Sequence, residues 1–118
     1  MKLNHLNLTV SNVPETHRFL EKHFGLKGFA GREPNEAMSF LSDDNGMVLA
    51  LFRAANGAEV KYPPGFHVGF IQESEERVNQ INESLRADGH HVAKPARLHG
   101  SWTFYFKSPG GFTIEVLC

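Results

Sequence analysis

The chain has 118 residues, a length that fits one compact domain with a real core but leaves little to enclose a substrate unaided. It carries 12 Lys plus Arg against 13 Asp plus Glu, a net charge of -1, and lacks the basic cluster that tracks a phosphate backbone, so nucleic acid is excluded as the expected partner. A single cysteine, Cys118, excludes an internal disulfide, and the lack of a charged leader or of roughly 20 consecutive apolar residues reads as a soluble, cytoplasmic protein with no membrane partner.

In the first strand, polar His5, Asn7 and Thr9 alternate with apolar Leu6, Leu8 and Val10, which is the period of an extended chain with one apolar face. The histidine is on the other face. Ser11-Asn12 is suited to cap a following helix, Pro14 suits its first turn, Phe19, Leu20 and Phe24 form its apolar stripe, and Gly25 ends it. Three further strands are expected near residues 28–33, 36–42 and 47–53, with Asp44-Asn45-Gly46 turning between the last two. The segment Arg53–Pro64, with Ala-Ala-Asn-Gly and Pro63-Pro64-Gly65, breaks the pattern without marking a domain boundary.

Beyond that break the order of elements repeats. His67 and Gly69 oppose Phe66, Val68 and Phe70, and Val78, Ile81 and Leu85 recur at helical spacing before Gly89. In the last two strands Trp102, Phe104 and Phe106 oppose Thr103, Tyr105 and Lys107, while Phe112, Ile114 and Val116 oppose Thr113, Glu115 and Leu117. The expected fold is therefore α+β: one domain over 1–118, made of two βαβββ repeats (about 1–57 and about 64–118), whose sheets curve around a cleft.

His5 and His67 open equivalent strands, and Glu115 interrupts an otherwise apolar closing strand at the place where the first repeat has Ala50. Any one of the seven histidines is an ordinary surface or hydrogen-bonded residue when taken singly. Two matched imidazoles with a carboxylate whose burial needs a partner are instead the donor set of a borderline divalent metal, with positions left for water or substrate. Tyr105 shares the face of Glu115, and Asn7 and Thr9 share that of His5. The other histidines are weaker: His17 and His23 lie on the first helix, His90 and His91 follow Gly89, and only His99 is near enough in sequence to the Tyr105 strand to suggest a substrate contact.

The stretches Leu3–Val10, Phe66–Phe70 and Phe104–Glu115 together resemble the vicinal oxygen chelate superfamily, which includes glyoxalase I, bleomycin-resistance proteins, extradiol dioxygenases and fosfomycin thiol transferases. The resemblance covers essentially the whole chain. It implies a U-shaped sheet around one divalent ion (Fe, Mn, Ni or Zn) held by His5, His67 and Glu115, a small-molecule substrate, and commonly a homodimer. Glyoxalase I has a second glutamate where this chain has Ala50. The extra histidines of the dioxygenases fall near Phe52 and Ala96, and the thiol transferases extend past the glutamate to an arginine, whereas here three residues follow Glu115. The expectation is a metal-dependent lyase, thiol transferase or dioxygenase that chelates adjacent substrate oxygens, with Tyr105 and Glu115 catalytic and Asn7, Thr9, Phe52 and His99 contacting substrate. The alternative is a binding module of the same fold that sequesters a drug or other small molecule.

Overall fold

The computed structural model describes residues 1–55 and 58–118; Asn56 and Gly57, inside the Ala-Ala-Asn-Gly break, lie outside the described residues. Two compact units divide the chain: Met1–Tyr62 with Pro109–Gly111, and Pro63–Ser108 with Phe112–Cys118. The first holds β1 (His5–Val10), α1 (Val13–Phe24), β2 (Lys27–Gly28), β3 (Met38–Ser42) and β4 (Val48–Arg53). The second holds β5 (His67–Ile71), α2 (Glu75–Ala87), β6 (Ala96–Leu98), β7 (Ser101–Lys107) and β8 (Thr113–Leu117). Each is a βαβββ unit with a four-stranded mixed sheet, ordered β1-β4-β3-β2 in the first and β5-β8-β7-β6 in the second.

The helices form where capping and periodicity agree. Asn12 accepts the Glu15 N–H at 3.0 Å, and Gly25 ends α1 in a left-handed conformation, φ 66°, that costs a glycine little. In α2, Ser74 accepts the Arg77 N–H at 3.1 Å. One face of each sheet is the core. Leu8, Val10, Leu41, Leu49 and Leu51 are buried with Val13 and Leu20 in the first unit, and Phe104, Ile114 and Val116 with Val78, Ile81 and Leu85 in the second. At about 1.5–3 kcal/mol for each fully buried large side chain, this alternation accounts for why each strand presents the face it does.

The strand expected over 28–33 is not formed as such. Only Lys27 and Gly28 pair with β3; the chain then turns back at Gly31, φ 75°, closed by a bridge between Phe29 and Arg32. Pro34, which has no N–H to give a ladder, follows the turn. The next strand starts at Met38 rather than near 36, because Asn35 Oδ1 takes the Ala37 and Met38 N–H groups at 2.8 and 3.0 Å. The turn Pro109–Gly111 belongs with the first unit, not with the repeat that contains it in sequence. Ser11 donates to it twice, from N–H to the Gly110 carbonyl at 3.3 Å and from Oγ to the Pro109 carbonyl at 3.2 Å.

Candidate functional site

Pairing register places three of the singled-out side chains on one face of the second unit. Glu115 in β8 lies between Gly69 of β5 and Tyr105 of β7, and His67 is one pleat away on the same face. A β-carbon at Gly69 would stand 3.7 Å from Glu115 Oε2, an ordinary contact, so the glycine borders the carboxylate without being required there. The result is a cluster: Tyr105 donates its O–H to Glu115 Oε1 at 2.5 Å, and His67 Nε2 lies 3.3 Å from Glu115 Oε2. The rings of His67 and Tyr105 meet edge to face, 5.5 Å between centroids.

The other ring nitrogen decides what this pair can do. His67 Nδ1 lies 2.9 Å from the Gly65 carbonyl, which only accepts, so Nδ1 carries the proton. In the neutral ring the Nε2 lone pair then faces a carboxylate oxygen, two acceptors in contact. A proton on Nε2 or a cation between the two removes the conflict. Donors 3.3 Å apart are also close enough to share one first-row ion through bonds of ~2.1 Å, and a backbone carbonyl on the far nitrogen is the usual way a ligating histidine is oriented. The residues present therefore fit a divalent metal. Glu115 is mostly buried, its side chain 13 % exposed, while that of His67 is 41 % exposed, which gives a ligand access from one side.

Tyr105 is held above the ordinary tyrosine value of 10.0, first by its hydrogen bond to Glu115, then by desolvation and by the charge of that carboxylate. Its O–H is consequently intact at neutral pH. Thr103, which sequence reasoning placed on this face without a role, lies 2.8 Å from the Val116 carbonyl and 3.2 Å from Glu115 Oε1. With one proton to give, it serves the nearer carbonyl and packs its oxygen beside the carboxylate. The period-2 alternation was the signal available for it.

The first unit shows what the same positions become without a carboxylate. His5 begins β1, with Nδ1 3.0 Å from Asn4 Oδ1, which only accepts, so Nδ1 likewise carries the proton. Asn7, Ala50 and Phe40 stand in register across β1, β4 and β3 where the second unit has Gly69, Glu115 and Tyr105. Phe52 packs edge to face on Phe40, 6.2 Å between centroids, and Thr9 lies in register with Phe52 on that face. The Thr9 carbonyl accepts the Tyr62 hydroxyl at 2.7 Å, a tie from the inter-repeat segment that sequence reasoning missed. His99 stands apart from the cluster: with φ 52° it is the first residue of the two-residue turn joining Leu98 to Ser101, about 13 Å along β7 from Tyr105. Among the described residues no three His, Cys, Asp or Glu side chains gather into one group.

The family model described as the Glyoxalase/Bleomycin resistance protein/Dioxygenase superfamily matches residues 2–116. The chain belongs to this superfamily. A possible glyoxalase from Bacillus cereus is 47% identical, with a TM-score of 0.88 over 100% of this chain and 99% of that one. Lactoylglutathione lyase from Agrobacterium tumefaciens superposes with a TM-score of 0.75 at 17% identity, covering 98% of this chain and 92% of that one. The oxidase ChaP-H2 does so with 0.77 at 21% identity, over 99% and 92% of the two chains. These two likenesses concern the fold alone, a frame that a lyase and an oxidase share. No curated protein matches the chain. No helix among the described residues is long and apolar enough to cross a membrane.

Proposed function

We propose that this member of the glyoxalase superfamily is a divalent-metal-dependent enzyme that acts on a small molecule held through two adjacent oxygens. The observation that carries the reading is the pair formed by His67 Nε2 and Glu115 Oε2, 3.3 Å apart, with the second histidine nitrogen already committed to a carbonyl. His67 and Glu115 are two of the ligands. His5 is the third, and in a homodimer it can come from either copy. Such an ion, Fe, Mn, Ni or Zn, would supply Lewis acidity at the chelated oxygens.

The chain's own residues supply the rest. Tyr105 keeps its proton at neutral pH and, by turning about its C–O bond, can deliver it from Glu115 to a substrate oxygen on the same face. Asn7 and Thr9 position polar parts of the substrate and Phe52 gives an apolar wall, whereas His99, at the hairpin tip, stands too far from Tyr105 to share a small substrate with it. Ala50 offers no second carboxylate, so the chemistry does not use a base at that position. The protein works in the cytoplasm.

Metal analysis of untagged protein purified without chelators tests the reading. Wild type is expected to hold about one ion per chain, and Glu115→Ala and His67→Ala none. Tyr105→Phe should keep the ion while turnover falls on the order of a hundredfold. Wild-type protein that takes up no ion after reloading would overturn the catalytic reading and leave a ligand-sequestering module.

A further inference from the structure

The first unit holds an open hollow of about 480 Å³ that the metal cluster does not use, lined by Gly31, Arg32, Glu33, Asn35, Met38, Ser39 and Phe40. Its size falls in the range of small-molecule sites. It exists because β2 stops at Gly28: on the edge away from β4, the first half of β3, Met38 to Phe40, has no strand partner and faces the returning 29–36 segment. The Arg32 guanidinium lies 5.8 Å from the Phe40 ring centroid, and among the described residues it is in none of the ion pairs. Asn35 has committed its carbonyl oxygen to two backbone N–H groups, so its amide NH₂ remains as a donor. Ser39 Oγ is taken by His17 Nδ1 at 2.5 Å and contributes no donor.

We propose that this hollow binds a small organic monocarboxylate with a flat apolar body. The Arg32 fork takes the carboxylate, a pairing that guanidinium geometry favours, with Asn35 as second donor, and the body packs on Phe40 and Met38. Glu33 at the rim opposes a second negative charge, which disfavours phosphate esters and dicarboxylates. Phe40 lies in register with Ala50 and Asn7, so the body extends over the sheet face that carries His5. Only that last step, the reach toward a chelated end, rests on the metal-dependent reading. Capture of the carboxylate needs no metal.

Titration of the full chain with 2-naphthoate and with the neutral 2-naphthalenemethanol, followed by two-dimensional amide NMR, tests the assignment. Naphthoate is expected to shift amides of residues 31–40 and to bind tighter than the alcohol. Arg32→Gln should weaken naphthoate about tenfold or more while leaving the alcohol unchanged, which also reports that the variant is folded. Phe40→Ala should weaken both, and His67→Ala neither. Equal binding of the two probes, an unaffected Arg32→Gln variant, or loss of naphthoate in His67→Ala would overturn the proposal. Wild type that takes up no ion after reloading yet binds naphthoate in this manner would sink the enzyme reading and leave the hollow standing.

Discussion

His17 shows how a single polar residue becomes structural. It lies on the buried side of α1, 4 % exposed, with Nδ1 2.5 Å from the buried Ser39 hydroxyl and Nε2 3.2 Å from Glu21. It thereby joins α1 to β3 through a satisfied polar contact inside the core. Ser39→Ala removes one partner and leaves a buried nitrogen unpaired; urea unfolding should register a loss of about 1–3 kcal/mol. Tyr62 is a second such tie. Burial raises its pKa above 10.0, against the lowering effect of its hydrogen bond to the Thr9 carbonyl. A tyrosine raised in this way stabilises the fold fully below its unfolded value, and that contribution is lost as pH climbs through the folded value. Stability of the wild type should therefore fall above about pH 10 by more than that of Tyr62→Phe, measured by chemical denaturation at stepped pH.

At the scale of elements, the β6–β7 hairpin turns through His99 and Gly100, both at positive φ, 52° and 87°, the conformation favoured in two-residue hairpin loops. Asparagine tolerates that region better than histidine, and a β-branched residue much worse. Thermal melts should show His99→Asn unchanged or stabilised by a few tenths of a kcal/mol, and His99→Val destabilised by about 1 kcal/mol or more. The same logic explains the failed strand after β2. A strand is expected from the sequence over 28–33, but Gly31 and Pro34 punctuate it, and the polar side chain of Asn35 replaces a strand partner for two N–H groups. That local choice is what opens the Arg32 hollow.

For the molecule as a whole, the repeated βαβββ plan produces two sheets with matching registers and different chemistry. Position for position, Glu115 and Tyr105 of the second unit answer to Ala50 and Phe40 of the first, so one sheet presents a polar cluster and the other an apolar face beside a cation. If His67 and Glu115 hold an ion in the folded state only, loading with metal at a hundredfold excess over its dissociation constant should stabilise the protein by about 2.7 kcal/mol. A chelator should reverse that gain in a thermal shift assay, and His67→Ala should show none of it.

The sequence by itself determined the α+β plan, the two repeats, both helices with the caps of the first, and the faces on which His5, His67, Tyr105 and Glu115 stand. All of these follow from periodicity, capping and turn chemistry, which are local. It also carried the superfamily, which the match over residues 2–116 bears out. Only the tertiary structure decided that Glu115 meets both Tyr105 and His67, that Thr103 lies beside it, and that His17 is buried on Ser39. These contacts join residues 10 to 48 positions apart, and their geometry depends on strand register and helix packing rather than on any one segment. The hollow beside Arg32 was out of reach for the same reason: it is the space left where β2 ends and one edge of β3 goes unpaired, and no pattern within either segment encodes the gap between them.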